Sequence, residues 1–209
     1  FLFYLLSSSI SDDLECILLY SGLILSFIGQ GIRIFTVAYT PPGTSGRNTK
    51  QQLANTLNTT GIYSLLRHPL YLGNFFMFLG PFIFTGNIYG ISIFILIFWL
   101  YYERIMYAEE AFLIHKFENE YSEWASDTPA FIPKISAYLP ENGKFSFQKV
   151  IEREYSGLCA VIAIFTLMVG FRNFNSSIHP IISDSWKILF CLNALIYFFL
   201  RFLKKNKTK

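Results

Sequence analysis

No charged side chain interrupts the chain between Leu70 and Tyr102. As one α-helix that run would be about 50 Å long, well beyond the roughly 30 Å hydrocarbon layer of a bilayer, so it must double back. Gly86, Asn87 and Gly90 lie midway and supply turn chemistry, which predicts a tight hairpin with arms at 70–85 and 88–102. Composition points to the same solvent. At 53% hydrophobic, 19% aromatic and only 15% charged, the chain is too apolar for an ordinary water-soluble domain and far too aromatic for intrinsic disorder. A net charge of +3, spread along the sequence, makes no basic patch for nucleic acid.

The stretch 14–39 carries only Glu15 and Arg33 as charges and is long enough for one crossing. Two further spans are predicted at 155–171 and 186–203, separated by the turn-rich 173–185, with Trp186 and Tyr197 as interfacial anchors. Arg33 and Arg201 lie near span ends, where long side chains reach back to the headgroups, so no intramembrane charge network is expected. The apolar residues 1–6 read as the tail of one more helix. The expected fold is an all-α, polytopic integral membrane protein. It has about five complete transmembrane helices plus the remnant of an N-terminal one, a central helical hairpin and a cytoplasmic cofactor pocket. We expect a single membrane domain, with N-terminal helices and a polar loop at 1–60, a core at 61–133, and a cytoplasmic connection with two C-terminal helices at 134–209.

Orientation follows from where cations are retained. Arg47, Lys50 and Arg67 lie in one long connection, and Arg104, Lys116, Lys134, Lys144, Lys149 and Arg153 in the other. Lys204, Lys205, Lys207 and Lys209 lie in the tail, whereas 7–13 and the Gly86 turn have no Lys or Arg. This places both connections and the C-terminus in the cytoplasm, and the expected location is a bacterial inner membrane. Cys16, Cys159 and Cys191 fall in apolar stretches without metal-ligand spacing, and read as small buried hydrophobes with no disulfide and no metal site.

Ionisable residues concentrate at the two ends of the hairpin. Arg67 and His68 precede its first arm, while Glu103, Arg104, Glu109 and Glu110 follow its second. A helical hairpin brings its ends together, so these groups should meet at the membrane surface. Pro69 suits the first helical turn, which leaves Arg67 and His68 at a helix N-terminus with backbone donors available to an anion. Adjacent carboxylates diverge on a helix, so one of Glu109 and Glu110 should face the site and the other water. The 103–125 segment has helical spacing, with Leu113, Phe117, Tyr121 and Trp124 on one stripe, and is stopped at Thr128-Pro129.

Arg67-His68-Pro69-Leu70-Tyr71-Leu72-Gly73, then the apolar hairpin, then Glu109-Glu110-Ala111-Phe112-Leu113 through Tyr121 and Thr128-Pro129-Ala130-Phe131-Ile132-Pro133, resembles the isoprenylcysteine carboxyl methyltransferase and phospholipid methyltransferase family. The resemblance covers about 61–133. It implies a membrane enzyme that binds S-adenosylmethionine in a cytoplasmic pocket and methylates an amphiphile arriving from the bilayer. It further implies that His68, Tyr71, Gly73 and Glu110 bind the cofactor, a set we extend to their neighbours Tyr63, Pro69 and Glu109. The sequence departs from the family pattern at three places: Glu118 where the family commonly has Gly, Trp124 where Tyr is usual, and Ala130 where many members carry an Arg associated with catalysis. Arg67 or Arg104 would then orient an anionic acceptor, with Glu110 holding the donor's ammonium or hydroxyls. Methyl transfer to a carboxylate or phosphate needs alignment and no general base.

The polar connection 41–60 offers Arg47, Lys50 and Asn58 as a headgroup site for a lipid substrate of the phospholipid or lipid A type, or for an isoprenylcysteine-like one. Two alternatives remain open at this stage. Membrane reductases of the sterol type carry a similar Arg-His-Pro motif and bind NADPH, although Leu70 stands where they tend to have Asn. A non-enzymatic membrane protein would use these charges only to fix topology.

Overall fold

The computed structural model describes residues 11–41, 54–175 and 182–207. The expected N-terminal remnant at 1–6, and Arg47 and Lys50, lie outside the described residues. Six α-helices make up most of the rest: α1 Asp12–Tyr39, α2 Ile62–Leu65, α3 Pro69–Thr85, α4 Ile88–Asp127, α5 Phe147–Asn175 and α6 Asp184–Lys207. Among the described residues, α1, α4, α5 and α6 are long and apolar enough to cross a membrane, and the 17-residue α3 is a shorter apolar helix. The all-α, multi-pass architecture is therefore as expected.

Local chemistry accounts for the boundaries. Asp12, Asp13 and Glu15 occupy the first turn of α1, where the helix dipole favours negative charge. Pro69 is at the first position of α3 with His68 as N-cap, and Gly86 ends that helix in the left-handed conformation at φ 68°. Asn87 starts α4, its side chain accepting from the Gly90 N–H. The hairpin forms where predicted, but its second arm does not end at Tyr102. With neither Gly nor Pro between Gly90 and Pro129, nothing stops the helix, and it continues into the segment expected to be separate. The interruption comes at Glu118, whose φ 46° and ψ −114° lie outside the helical region. Likewise α5 begins at Phe147, eight residues before the expected start, which draws Glu154 into the bundle.

The bundle is apolar outside and partly polar inside, as burial in lipid requires. Ile17, Ile24, Leu96, Ile97, Leu195 and Phe198 are exposed, whereas Ser26, Gln30, Glu154 and Asn193 are buried. Cys159 is buried as expected; Cys16 and Cys191 instead lie on exposed helix faces. The apolar core joins Met77 and Phe84 of α3 to Val161, Phe165 and Met168 of α5. Against α1, α3 packs at backbone distance. A Cβ added to Gly22 would come 2.5 Å from the Gly80 carbonyl oxygen, and one added to Gly73 would come 2.8 Å from that of Gly29. Gly22 and Gly29 are seven residues apart, as are Gly73 and Gly80, so two antiparallel helices meet glycine to glycine at two levels. Between those levels the Ser26 hydroxyl donates to the Met77 carbonyl at 3.0 Å.

Candidate active site at the hairpin ends

The two ends of the hairpin do converge. The chain leaves α2 through an extended Leu66, and the stretch after α4 lies against the backbone of Leu65–His68. Arg67 N–H donates to Pro129 O (2.9 Å), His68 N–H to Ala130 O (3.1 Å) and Lys134 N–H to Leu65 O (2.9 Å). The backbone donors expected to await an anion before α3 are thus occupied by the Thr-Pro segment. The negative group at this helix entrance is the protein's own Glu110.

Arg67 grips Glu110 with two nitrogens, Nε to Oε1 at 2.9 Å and Nη2 to Oε2 at 3.3 Å. Its Nη1 donates to the carbonyls of Ala125 (3.0 Å) and Thr128 (3.3 Å), the negative end of α4. Glu110 and Ala125 are fifteen residues apart, about 22 Å along a straight helix. One guanidinium can reach both only because α4 turns back at Glu118, and that reversal is the physical reason for the positive φ there. The arm beyond it carries Tyr121, buried, and Trp124, whose buried indole N–H has no acceptor among the described residues.

His68 is enclosed by acids on both sides. Its Nε2 donates to Glu110 Oε1 at 2.8 Å, and Nδ1 faces Glu109 Oε2 at 3.5 Å. Tyr71, stacked on the imidazole at 5.5 Å between centroids, donates its hydroxyl to Glu109 at 2.9 Å. Both carboxylates therefore face the cluster, contrary to the expectation that one would turn to water. The flat His68–Tyr71 stack is broad enough to meet side chains diverging from adjacent helix positions. Burial alone would lower the His68 pKa, but the two carboxylates outweigh it and hold the imidazole above its ordinary value. For Glu110, burial pulls upward, and His68 with Arg67 overcomes it to hold the carboxyl below the usual range.

The remaining candidates are placed as follows. Tyr63, on α2, has its phenol pushed up by burial and by the field of Glu109, so it borders the cluster. Pro69 is buried and sets the start of α3. Gly73 faces α1, where Arg33 and the Gly29 backbone fill the space a side chain would need, so it serves packing instead of lining the cluster. Arg104 is exposed, with no hydrogen bond or ion pair among the described residues. Six helix positions separate it from Glu110, which puts it about 120° away around α4. Asn58 lies apart from the cluster, in the wall of a cavity of about 210 Å³ shared with Thr36, Tyr39, Tyr63 and Glu141. A second, more open cavity of about 640 Å³ runs along Arg67, Thr128, Ala130 and Lys134.

A polar network under the cluster was not anticipated. Arg33 forms a two-point ion pair with Glu154, Nε to Oε2 and Nη2 to Oε1 both at 2.8 Å, and Gln30 donates to the same carboxylate at 3.1 Å. Arg33 Nη1 reaches Asn74 at 2.7 Å, and Asn74 donates to the Tyr102 hydroxyl at 3.0 Å. Tyr102 packs on Tyr71, 5.1 Å between ring centroids. Arg33 does not reach the membrane surface as expected but turns inward to tie α1, α3 and α5 together. An arginine six residues from the end of an apolar span, and a glutamate at the edge of another, were the available signals.

Residues 18–120 match the family model described as phospholipid methyltransferase. The chain is similar to the cobalt-zinc-cadmium resistance protein CzcN of Cupriavidus metallidurans, 38% identical over 119 residues that cover 54% of this chain and 55% of that protein. It is also similar to two proteins named protein-S-isoprenylcysteine O-methyltransferase. That of Schizosaccharomyces pombe is 34% identical over 86 residues, covering 41% of this chain and 36% of the relative. That of Saccharomyces cerevisiae is 34% identical over 117 residues, covering 54% and 48%. The chain thus spans about half the length, or less, of the curated relatives it matches. No solved structure matches it significantly. The match takes in Arg67, His68, Tyr71, Glu109 and Glu110 and stops short of α5, and over residues 18–120 the chain is similar to the phospholipid methyltransferase family.

Proposed function

We propose that this protein is an S-adenosylmethionine-dependent methyltransferase whose acceptor is the carboxylate or phosphate headgroup of a membrane amphiphile. The observation that carries the reading is His68 enclosed by Glu109 and Glu110, with Arg67 on the same carboxylate, at the hairpin ends of a segment similar to a methyltransferase family. The donor set suits a zwitterionic amino acid group: two carboxylates for its ammonium and a guanidinium for its carboxylate, with the Trp124 indole N–H still unmatched. The bound donor supplies an electrophilic methyl on sulfonium, and the chain supplies position and charge.

In this reading Glu110 and Glu109 hold the ammonium, His68 and Tyr71 keep the two carboxylates in place, and Arg67 exchanges Glu110 for an anion. Because Arg67 is held by carbonyls of Ala125 and Thr128 as well, it stays in place when it exchanges Glu110 for the donor's carboxylate, at a point where Ala130 offers no cation. Tyr63 and Pro69 border and shape the site. The distribution of Lys and Arg supports an orientation with this cluster on the cytoplasmic face of an inner membrane. The reductase alternative finds no support in the named relatives.

The test is calorimetric titration of the purified protein with S-adenosylhomocysteine and, separately, with NADPH. We expect binding of the first, weakened at least tenfold by Glu110→Gln and by Tyr71→Phe, and labelling of extracted lipid when methyl-labelled donor is supplied. Binding of NADPH without S-adenosylhomocysteine refutes the proposal.

A further inference from the structure

The smaller cavity is chemically unlike the charged cluster it adjoins. Thr36 and Thr40 come from the end of α1, Asn58 from the segment before Gly61, Glu141 from the segment after Leu139, and Tyr39 and Tyr63 add two aromatic rings. Among the described residues that line it there is no Lys or Arg. Lys149, close by, donates to the Thr40 carbonyl at 3.0 Å. An anion would find no described counter-charge in these walls.

Hydroxyl and amide chemistry dominates instead. The Thr36 hydroxyl donates to Ile32 O and that of Thr40 to Thr36 O, one turn back in each case; Thr36 presents its oxygen lone pairs as acceptors, while Thr40 is also engaged with the Tyr63 hydroxyl. Asn58 brings an amide with donor and acceptor sides. Glu141 is held in place by the fold. Gly61 adopts φ 61°, and the position a Cβ would take there is filled by the Glu141 carboxylate, so only glycine admits this arrangement. Burial pushes the Glu141 carboxyl up, and one backbone N–H, from Ile62, opposes that shift. A carboxylate has about four lone-pair sites, so most of its accepting capacity remains for a ligand.

Acceptors, amides and aromatic rings without a cation are what the hydroxyls and C–H face of a sugar ring require. Ligand pockets for drug-sized molecules run from about 300 to 1,000 Å³, and 210 Å³ is the size for one ring. We infer that this cavity binds the vicinal diol of a single sugar ring. The inference rests on the proposed function only for where such a ring comes from, either the ribose of the nucleoside donor or the headgroup of a glycolipid.

The experiment is hydrogen exchange by mass spectrometry on the full chain in nanodiscs, following residues 54–63. Three probes are compared: S-adenosylhomocysteine, nanodiscs containing monoglucosyl diacylglycerol, and nanodiscs containing phosphatidic acid as an anionic, sugar-free control. We expect at least fivefold slower exchange with one of the first two and none with the third. The protection disappears in Asn58→Leu and in Glu141→Leu. Protection by S-adenosylhomocysteine alone, absent with its 2′,3′-dideoxy analogue that keeps the homocysteinyl group, assigns the ribose; protection by the glucolipid alone assigns a headgroup. Protection by phosphatidic acid equal to the others, or by no probe, overturns the inference, and the wild-type result stands even if a variant fails to fold. If S-adenosylhomocysteine does not bind at all but the glucolipid protects, the donor assignment fails and the sugar site survives.

Discussion

Replacing Glu118 with glycine should stabilise the protein, although glycine inside a helix ordinarily does the reverse. At φ 46° and ψ −114° the Cβ of an L-residue is held in a conformation that costs about 1–3 kcal/mol. Glycine removes that strain and loses about 0.5–1 kcal/mol through the greater freedom of its unfolded chain. The balance is a gain of roughly 0–2.5 kcal/mol from these two opposing effects. Glu118 is exposed, so the substitution deletes no packed side chain. Glu123, exposed on the arm beyond the reversal, is the control: Glu123→Gly should cost about 1 kcal/mol, as in any helix interior. The assay is reversible unfolding in mixed micelles titrated with sodium dodecyl sulfate and followed by circular dichroism. If both variants lose stability by similar amounts, α4 runs straight through Glu118, Arg67 cannot hold Glu110 and Ala125 together, and the account of the site is wrong.

Three other perturbations test separate parts of the structure. Glu154→Leu leaves Arg33 buried without its counter-charge and should cost about 3–5 kcal/mol, whereas Arg33→Leu with Glu154→Leu should cost much less; equal losses in the same unfolding assay would show that the pair is not formed. Gly80→Val should part α1 from α3 at a cost of about 1–3 kcal/mol or more, because its Cβ would meet Ser26 and the Gly22 carbonyl, while Gly31→Ala, with nothing nearby, should stabilise α1 by about 0.5–1 kcal/mol. The His68–Glu110 pair should make stability depend on pH. With a raised pKa, His68 contributes fully below its ordinary 6.5 and loses that contribution as pH rises through the folded value. Glu110, with a lowered pKa, contributes above its ordinary 4.5 and loses it as pH falls through the folded value. Stability should therefore be greatest between 4.5 and 6.5, and His68→Gln should remove the alkaline fall and shrink the acid one, which then rests on Arg67, read as unfolding midpoints across a pH series.

The helices and the hairpin were legible because apolar runs, Pro69 and the Gly86-Asn87 turn are local signals. So was the meeting of Arg67 and His68 with the Glu109-Glu110 pair, since connectivity alone forces the ends of a hairpin together. What could not be read depends on contacts distant in sequence. Glu154 looked like the edge of a span until α5 began earlier and turned it toward Arg33. Gly73 looked like part of a motif until α1 was seen to need the space. The departure at Glu118 was visible in the sequence, but its meaning was not, because the sharp reversal is demanded by a guanidinium fifty residues upstream. Arg104 carried the right charge on the wrong side of its helix, a distinction that needs the azimuth of α4 to be known.

The charges around His68 already neutralise one another, and this decides what kind of solute can displace them. A lone anion could take Arg67 only by leaving Glu110 to His68, and a lone cation could take Glu110 only by leaving Arg67 to the carbonyls of Ala125 and Thr128. A molecule bearing both signs, spaced like an amino acid, swaps partners with both at once and leaves no buried charge behind. Under the proposed function, discrimination between donor-like zwitterions and the abundant simple ions of a cell would follow from the resting pairings themselves.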